Sequence, residues 1–242
     1  MQDILLRDDT LSFRTREAFK TLRSNVEFSG KDVHTIAITS CTPNEGKTEV
    51  SFELARSFAQ NNKRAILIDA DLRKSVMTEF MKSGKIRYGL SNYLIGQCEL
   101  DECICRTNEE GFYMIFSGPT TPTPSELLGS DIFRQLLAVL RRQYDYVIVD
   151  TPPLGSVIDS AIIGKVCDGV ILVLSSGNIS YHFAQEVEDQ LVKADCHILG
   201  TVLNKVSLGS GNGYYGKYYG KYYGKYYGKY YGNYSDEKDR KN

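Results

Sequence analysis

A lysine, a threonine and three aspartates stand where apolar runs end, and together they have the makings of phosphate chemistry. Lys47 and Thr48 close the stretch Thr39-Ser-Cys-Thr-Pro-Asn-Glu-Gly-Lys-Thr48, Asp69 and Asp71 close the run that starts at Arg64, and Asp150 closes the run that starts at Tyr144. An ammonium neutralises phosphate oxygens, while hydroxyl and carboxylate oxygens hold a hard cation such as magnesium. A carboxylate left over can accept the proton of an attacking hydroxyl, which is worth roughly 10²–10⁴-fold when the geometry allows.

The elements around these residues must position them. Val33, Ile36, Ala37 and Ile38 precede the first stretch, and Val50, Phe52, Leu54, Ala55, Phe58 and Ala59 follow it at helical spacing. Strand, turn and helix N-terminus in that order make a phosphate cradle, because backbone N–H groups and the positive helix end converge on one point. Lys47 is then expected on the outer phosphates and the Thr48 hydroxyl on magnesium. Pro43, Asn44, Glu45, Gly46, Lys47, Thr48 and Glu49 are the candidate nucleotide-binding residues of this segment. The strict phosphate-loop pattern asks for glycine where Cys41 stands, so this motif alone leaves a plain strand-loop-helix connection open.

Two later segments narrow the choice. Arg64-Ala-Ile-Leu-Ile-Asp-Ala-Asp-Leu-Arg73 and Tyr144-Asp-Tyr-Val-Ile-Val-Asp-Thr-Pro-Pro153 read as strands buried on both faces, hence parallel strands of a sheet covered by helices. Further strands are expected at Val33–Thr39, Phe112–Phe116, Val170–Leu174 and Ile198–Leu203. Helices are expected over residues 12–28, 46–61, 88–96 and 181–194, and from Ser125 onward, with Ser125 or Ser130 as cap. The fold expected is α/β, a doubly wound and mainly parallel sheet with helices on both faces. Ligands of such sheets bind outside the carboxyl ends of the strands, which is where Gly46, Lys47, Asp69, Asp71 and Asp150 would all lie. Strand alternation is expected to send Asp69 and Asp71 to one face, and either of them can be ligand or base. Asp69, Asp71, Asp150 and Thr48 are the candidate metal ligands; Lys47, Asp69 and Asp71 are the candidate catalytic groups.

Composition excludes several classes. The 242 residues suffice for one α/β domain, and no apolar run reaches the roughly 20 residues of a membrane helix. The polar stretch Met1–Asp9 lacks the apolar core of a signal peptide, so a cytoplasmic chain with reduced thiols is expected. Cys41 and Cys196 lie beside strands as small apolar residues, and Cys98, Cys103 and Cys105 are expected on a surface helix rather than around a metal. From Ser207 onward, seven Lys and Arg face three Asp and Glu, so the tail carries +4 and the body −5; nucleic acid is not an expected partner of the body.

The tail itself repeats Tyr-Tyr-Gly-Lys. Its eleven tyrosines, Tyr214, Tyr215, Tyr218, Tyr219, Tyr222, Tyr223, Tyr226, Tyr227, Tyr230, Tyr231 and Tyr234, sit in no pattern that buries them, so a disordered segment is expected over 207–242 beside a domain over 1–206. A flexible chain of 20 residues spans about 25 Å, enough to reach a neighbouring subunit. Stacking on itself or on nucleic acid is the plain alternative for such a segment.

The motifs Pro43–Thr48, Ile66–Arg73 and Val147–Pro153 resemble the Walker A, A′ and B set of bacterial tyrosine kinases of the capsular polysaccharide type, and Gly89-Leu-Ser91 and Pro124-Ser-Glu-Leu-Leu128 add to the likeness. The resemblance runs from Glu17 to Val206. It implies a non-specific protein-tyrosine kinase that uses ATP, releases ADP, needs Mg²⁺ and phosphorylates tyrosines of its own tail in trans and then other proteins. It implies a transmembrane adaptor of the chain-length-determinant kind that recruits the kinase to the inner membrane face and activates it, a role in capsular or extracellular polysaccharide synthesis and export, and a tyrosine phosphatase as counterpart. By the same resemblance Glu17, Lys20 and Arg23 match an ExxRxxR element that assembles subunits into a ring, with lysine for the middle arginine, and Asn204 matches an adenine-contacting position. Spacing alone reads the Glu17, Lys20, Arg23 stripe as a solvated face with local ion pairs. The rival relatives, deviant Walker ATPases of the MinD and ParA kind that act as assembly switches, carry a signature lysine where Thr42 stands.

Overall fold

Apolar runs whose successive side chains point to opposite sides can be buried only between two helical layers, and the computed structural model has that arrangement. It describes residues 1–8 and 10–206; the tyrosine tail, its phosphorylation sites and the expectation of disorder there lie outside the described residues. Strands run over Gln2–Leu6 (β1), Thr35–Ser40 (β2), Ala65–Asp69 (β3), Met81–Gly84 (β4), Cys105–Arg106 (β5), Phe112–Ile115 (β6), Tyr146–Asp150 (β7), Gly169–Ser175 (β8) and Ile198–Asn204 (β9). Helices are Phe13–Phe28 (α1), Lys47–Ala59 (α2), Leu90–Leu94 (α3), Leu100–Cys103 (α4), Pro124–Leu128 (α5), Asp131–Gln143 (α6), Asp159–Gly164 (α7) and Tyr181–Lys193 (α8).

The sheet order is β4-β1-β5-β6-β3-β7-β2-β8-β9. All pairings from β6 to β9 are parallel. β5 runs antiparallel to β6, β1 is parallel to β5, and β4 is antiparallel to β1.

Alternation divides the core in two. Ile36, Ile38, Leu67, Ile148 and Ile171 face one layer with Val26 of α1 and Val50, Leu54 and Phe58 of α2. Ala37, Ile66, Ile68, Val147, Val149 and Leu172 face the other, with Leu136 and Leu140 of α6, Ile163 of α7 and Leu191 of α8. Each such aliphatic side chain, fully buried, stabilises the fold by about 1.5–3 kcal/mol. That two-sided demand holds β2, β3 and β7 at the centre and their carboxyl ends at one rim.

Ile4 and Leu6 are buried, and β1 extends the sheet where no strand was expected. Two expectations are corrected. The helix expected from Ser125 is two helices, α5 opening on Pro124 and α6 capped by Ser130, whose Oγ accepts from the Phe133 amide at 3.3 Å. Cys103 and Cys105 are wholly buried rather than on a surface helix. Replacing Ser130 by Ala removes the α6 cap and should lower unfolding stability by about 1 kcal/mol; an unchanged urea midpoint would contradict the cap. Among the described residues no helix is long and apolar enough to cross a membrane.

Candidate active site

The loop between β2 and α2 is held open by conformations few residues adopt. Asn44 has φ 65° and Gly46 has φ 88°, left-handed values that turn successive N–H groups inward. The positive φ favours glycine at 46, and a Cβ there would lie 2.2 Å from Asn204 Nδ2 and displace that amide from the loop. No side chain caps α2. Its first amides therefore remain available to an anion.

The departure at Cys41 is absorbed locally. Cys41 is fully buried, and its thiol is pushed up to about 12, first by burial and then by the Glu45 charge. Gly155 lies against it: a Cβ there would meet the Cys41 carbonyl oxygen at 2.2 Å. Glu45, 2% exposed, pins the loop from within. Its Oε1 accepts from the Thr42 amide at 2.5 Å and the Thr42 hydroxyl at 3.0 Å, and its Oε2 accepts from the Ser175 amide at 2.8 Å. Asn204 Nδ2 donates to the Glu45 carbonyl at 2.9 Å, and Lys205 Nζ to the Asn44 carbonyl at 2.5 Å. The carboxyl ends of β8 and β9 thus fix the loop. Glu45→Ala leaves the Thr42 and Ser175 amides without an acceptor and should cost about 1–3 kcal/mol together with nucleotide affinity. Equal nucleotide titrations for the variant and the parent would refute that role.

Lys47 is buried at the centre of the site. Its Nζ stands 3.7 Å from Asp71 Oδ2 and 3.5 Å from Asp150 Oδ2, and donates to Thr48 Oγ1 at 3.2 Å. Asp150 ends β7 fully buried and accepts from Ser51 Oγ at 2.9 Å. Burial holds its carboxyl above the ordinary range, against the opposing pull of Lys47, Thr48 and Ser51.

Asp69 and Asp71 divide in a way alternation did not foresee. β3 ends at Asp69; the Ala70 amide still bonds to the Asp150 carbonyl at 2.8 Å as a last rung beside β7, and Asp71 lies beyond the strand. Asp69 turns toward the fold: its Oδ2 accepts from Ser75 Oγ and from the Ser117 amide at 3.2 Å. Burial, then the Asp150 charge, pushes its carboxyl up to about 7. Asp71 Oδ1 accepts from the Lys74 amide at 2.9 Å, while Oδ2 faces Lys47. Asp71 also lines an open cleft of about 270 Å³ with Arg73, Lys74, Ser75, Ser117 and Thr120.

Among the described residues no three His, Cys, Asp or Glu side chains close into a metal cage. Hard oxygens of Thr48, Asp71 and Asp150 around one ammonium suit magnesium instead, which keeps waters and takes substrate phosphates as ligands. Pro43, Asn44 and Glu49 are exposed at the mouth.

Partners absent from the motif reading complete the site. Ser51, Ser75, Ser117 and Ser175 are scattered over four segments, with no spacing to announce them. Arg73 and Ser125 had a signal in the motifs that contain them: Arg73 Nε bonds Asp159 Oδ2 at 2.7 Å and Ser125 Oγ donates to Asp159 Oδ1 at 2.6 Å. Burial opposes ionisation of Asp159, yet these bonds hold its carboxyl below the usual range.

The stripe on α1 lies apart from this site. Lys20 Nζ pairs with Glu17 Oε1 at 2.7 Å. Arg23 Nη1 donates to the Ser57 carbonyl of α2 at 2.8 Å, and its Nε, buried without a hydrogen-bond partner among the described residues, stands 4.0 Å from Glu27 Oε1.

A glycine-bearing loop before a helix, with carboxylates at the ends of two adjacent parallel strands, defines a P-loop nucleotide-binding fold. Residues 33–196 match the AAA domain family AAA_31. The chain is 41% identical over 194 residues to the tyrosine-protein kinase CpsD of Streptococcus agalactiae serotype Ia, covering 80% of this chain and 84% of that protein. It is 38% identical over 205 residues to the tyrosine-protein kinase YwqD of Bacillus subtilis, covering 83% and 86%. The kinase domain of the Escherichia coli tyrosine kinase ETK superposes with a TM-score of 0.74 at 35% identity, over 82% of this chain and 80% of that one. The chimerical protein CapA2B2 does so at 0.77 and 29%, over 85% and 93%. The chain belongs to this family of bacterial tyrosine-protein kinases. MinD of Pyrococcus horikoshii, at a TM-score of 0.62 and 22% identity, over 74% of this chain and 72% of that one, shares the fold.

Proposed function

We propose that this kinase transfers the γ-phosphoryl group of ATP to tyrosines of its own tail in trans, and then to other proteins. The observation that carries the reading is the Lys47 ammonium bracketed by Asp71 and Asp150 beneath an uncapped helix N-terminus. Pro43 to Glu49 would cradle the phosphates and Lys47 would neutralise the outer ones, with Asn204 on the base side. Thr48 and Asp150 would hold magnesium, and its charge would offset that of the transferring group.

Asp71 is the acceptor-side carboxylate in this reading. It lines the cleft, whereas Asp69 is committed to Ser75 and Ser117. A tyrosine hydroxyl entering that cleft gives its proton to Asp71 Oδ2 as its oxygen bonds the γ-phosphorus, and ADP leaves. Asp69 then acts behind it as a support for the Ser117 wall. The tail tyrosines Tyr214 to Tyr234 are the substrates, delivered by a neighbouring subunit of an oligomer built through the α1 stripe. Because Arg23 already binds α2, assembly through α1 would also bear on the helix that carries Lys47.

We further infer a transmembrane adaptor that recruits the chain to the inner face of the membrane, a role in polysaccharide synthesis, and a phosphatase that resets the tail. The kinship with CpsD and with the CapA2B2 chimera supports this. The test is to incubate the full chain with magnesium and ATP and to map phosphate by mass spectrometry. Phosphate on Tyr214 to Tyr234, lost in Asp71→Asn, and restored when active and tailless chains are mixed with inactive tailed ones, is expected. Phosphate release with unmodified tyrosines would end the proposal.

A further inference from the structure

Two thiols outside the phosphate site touch. Cys98 Sγ and Cys103 Sγ are 3.1 Å apart, and both cysteines are free. A disulfide holds its sulfurs at about 2.05 Å, so closing this pair takes only a small side-chain movement. Cys98 is half-buried in the turn before α4, and Cys103, the last residue of α4, is wholly buried. Burial and the bond to Cys98 push the Cys103 thiol above its ordinary range. The accessible member therefore meets a reagent first, and the buried one resolves it.

The pair adjoins a wall of the cleft. Cys103 Sγ donates to the Gly89 carbonyl at 3.5 Å. Gly89 presses on the next segment so closely that a Cβ there would meet the Gly118 nitrogen at 2.4 Å. Gly118 lines the cleft beside Asp71, and the neighbouring Ser117 amide holds Asp69.

We propose that Cys98 and Cys103 are a reversible dithiol site whose co-substrate is a small disulfide of the glutathione class. The Cys98 thiolate, its proton lost to solvent, attacks one sulfur of the small disulfide, whose S–S bond breaks and releases one thiolate. Cys103 then gives up its proton and attacks Cys98 Sγ, expelling the second small thiolate. The two thiolates take up the two protons, so the protein loses two hydrogens and the small disulfide becomes two thiols. Closure removes the Cys103 hydrogen, which has the Gly89 carbonyl at 3.5 Å and the Glu99 carbonyl at 3.7 Å within reach, and so ends any bond from this thiol to the wall of the cleft.

The full chain is titrated with oxidised glutathione, quenched with an alkylating agent and digested after glutamate, which cuts at Glu99 and Glu102 and separates Cys98 from Cys103. Wild type should lose two hydrogens and yield a peptide linking Cys98 to the Cys103 peptide. Cys105→Ser should do the same, which excludes the third thiol of that fragment. Cys103→Ala should stop at a Cys98–glutathione adduct, and Cys98→Ser should stay reduced at Cys103. A glutathione adduct that persists on Cys98 in wild type, or modification of Cys103 in Cys98→Ser at the same dose, overturns the proposal. None of these readouts depends on kinase activity.

Discussion

Replacing Lys47 by Met is expected to lower the rate of phosphotyrosine formation by about 10²–10³-fold at saturating ATP, the effect of losing one preorganised charge from a water-poor site. Methionine keeps the length and apolar stem of lysine, so the void is small. The loss is the ammonium alone. In the parent that group stands 3.7 Å from Asp71 and 3.5 Å from Asp150, and among the described residues neither carboxylate has another side-chain ion pair within 4 Å. Once a triphosphate arrives, the same ammonium must serve its oxygens, and in the loose transition state negative charge builds on the oxygen that leaves with ADP. The defect should therefore fall on kcat more than on KM.

The folded state should tolerate the change. Asp150 is already held above the ordinary carboxylate range by burial, so without its ammonium it takes a proton rather than unfolding the chain. Circular dichroism and a thermal melt establish the fold, and initial rates of tyrosine phosphorylation give the outcome. A variant that is folded and within tenfold of the parent rate would remove Lys47 from the chemistry.

The parts of the site that the sequence makes legible are those written in unbroken runs. Ile66 to Ile68 and Val147 to Val149 each announce a doubly buried strand, and the aspartate that follows each run marks its carboxyl end. β1 escapes the same reading because exposed Leu5 sits between buried Ile4 and Leu6, and the segment gains its partners only from β4 and β5, 75 or more positions away. The two-residue β5 is too short to show any period. Asp71 escapes the pattern for another reason: alternation holds only while the strand lasts, and β3 ends at Asp69, two residues before Asp71. The serines that hold the carboxylates come from α2, two loops and the end of β8, and only tertiary structure brings them together. The Glu45 bonds to Thr42 and Ser175 belong to the same class, since half of that anchor lies 130 positions along the chain.

Asp69 supplies the second large effect, and its sign runs against common acid denaturation. Its carboxyl has an ordinary value of 3.8 and is pushed up to about 7 in the folded chain, by burial first and by Asp150 second. Between those values the folded protein keeps a proton that the unfolded chain has released. The contribution of this group to stability is therefore whole below pH 3.8 and is lost as pH rises through about 7. At 1.36 kcal/mol for each tenfold step, the loss amounts to about 4 kcal/mol in the metal- and nucleotide-free chain. Asparagine resembles the protonated acid in shape and charge, so Asp69→Asn should remove most of that slope, whatever it costs in absolute stability through the bonds from Ser75 and Ser117. Denaturant midpoints of both proteins, measured from pH 4 to pH 8 in the presence of a chelator, decide the matter. Curves that stay parallel across the range would mean that Asp69 is ionised in the folded chain, and the burial of its charge beside Asp150 would then need another compensation.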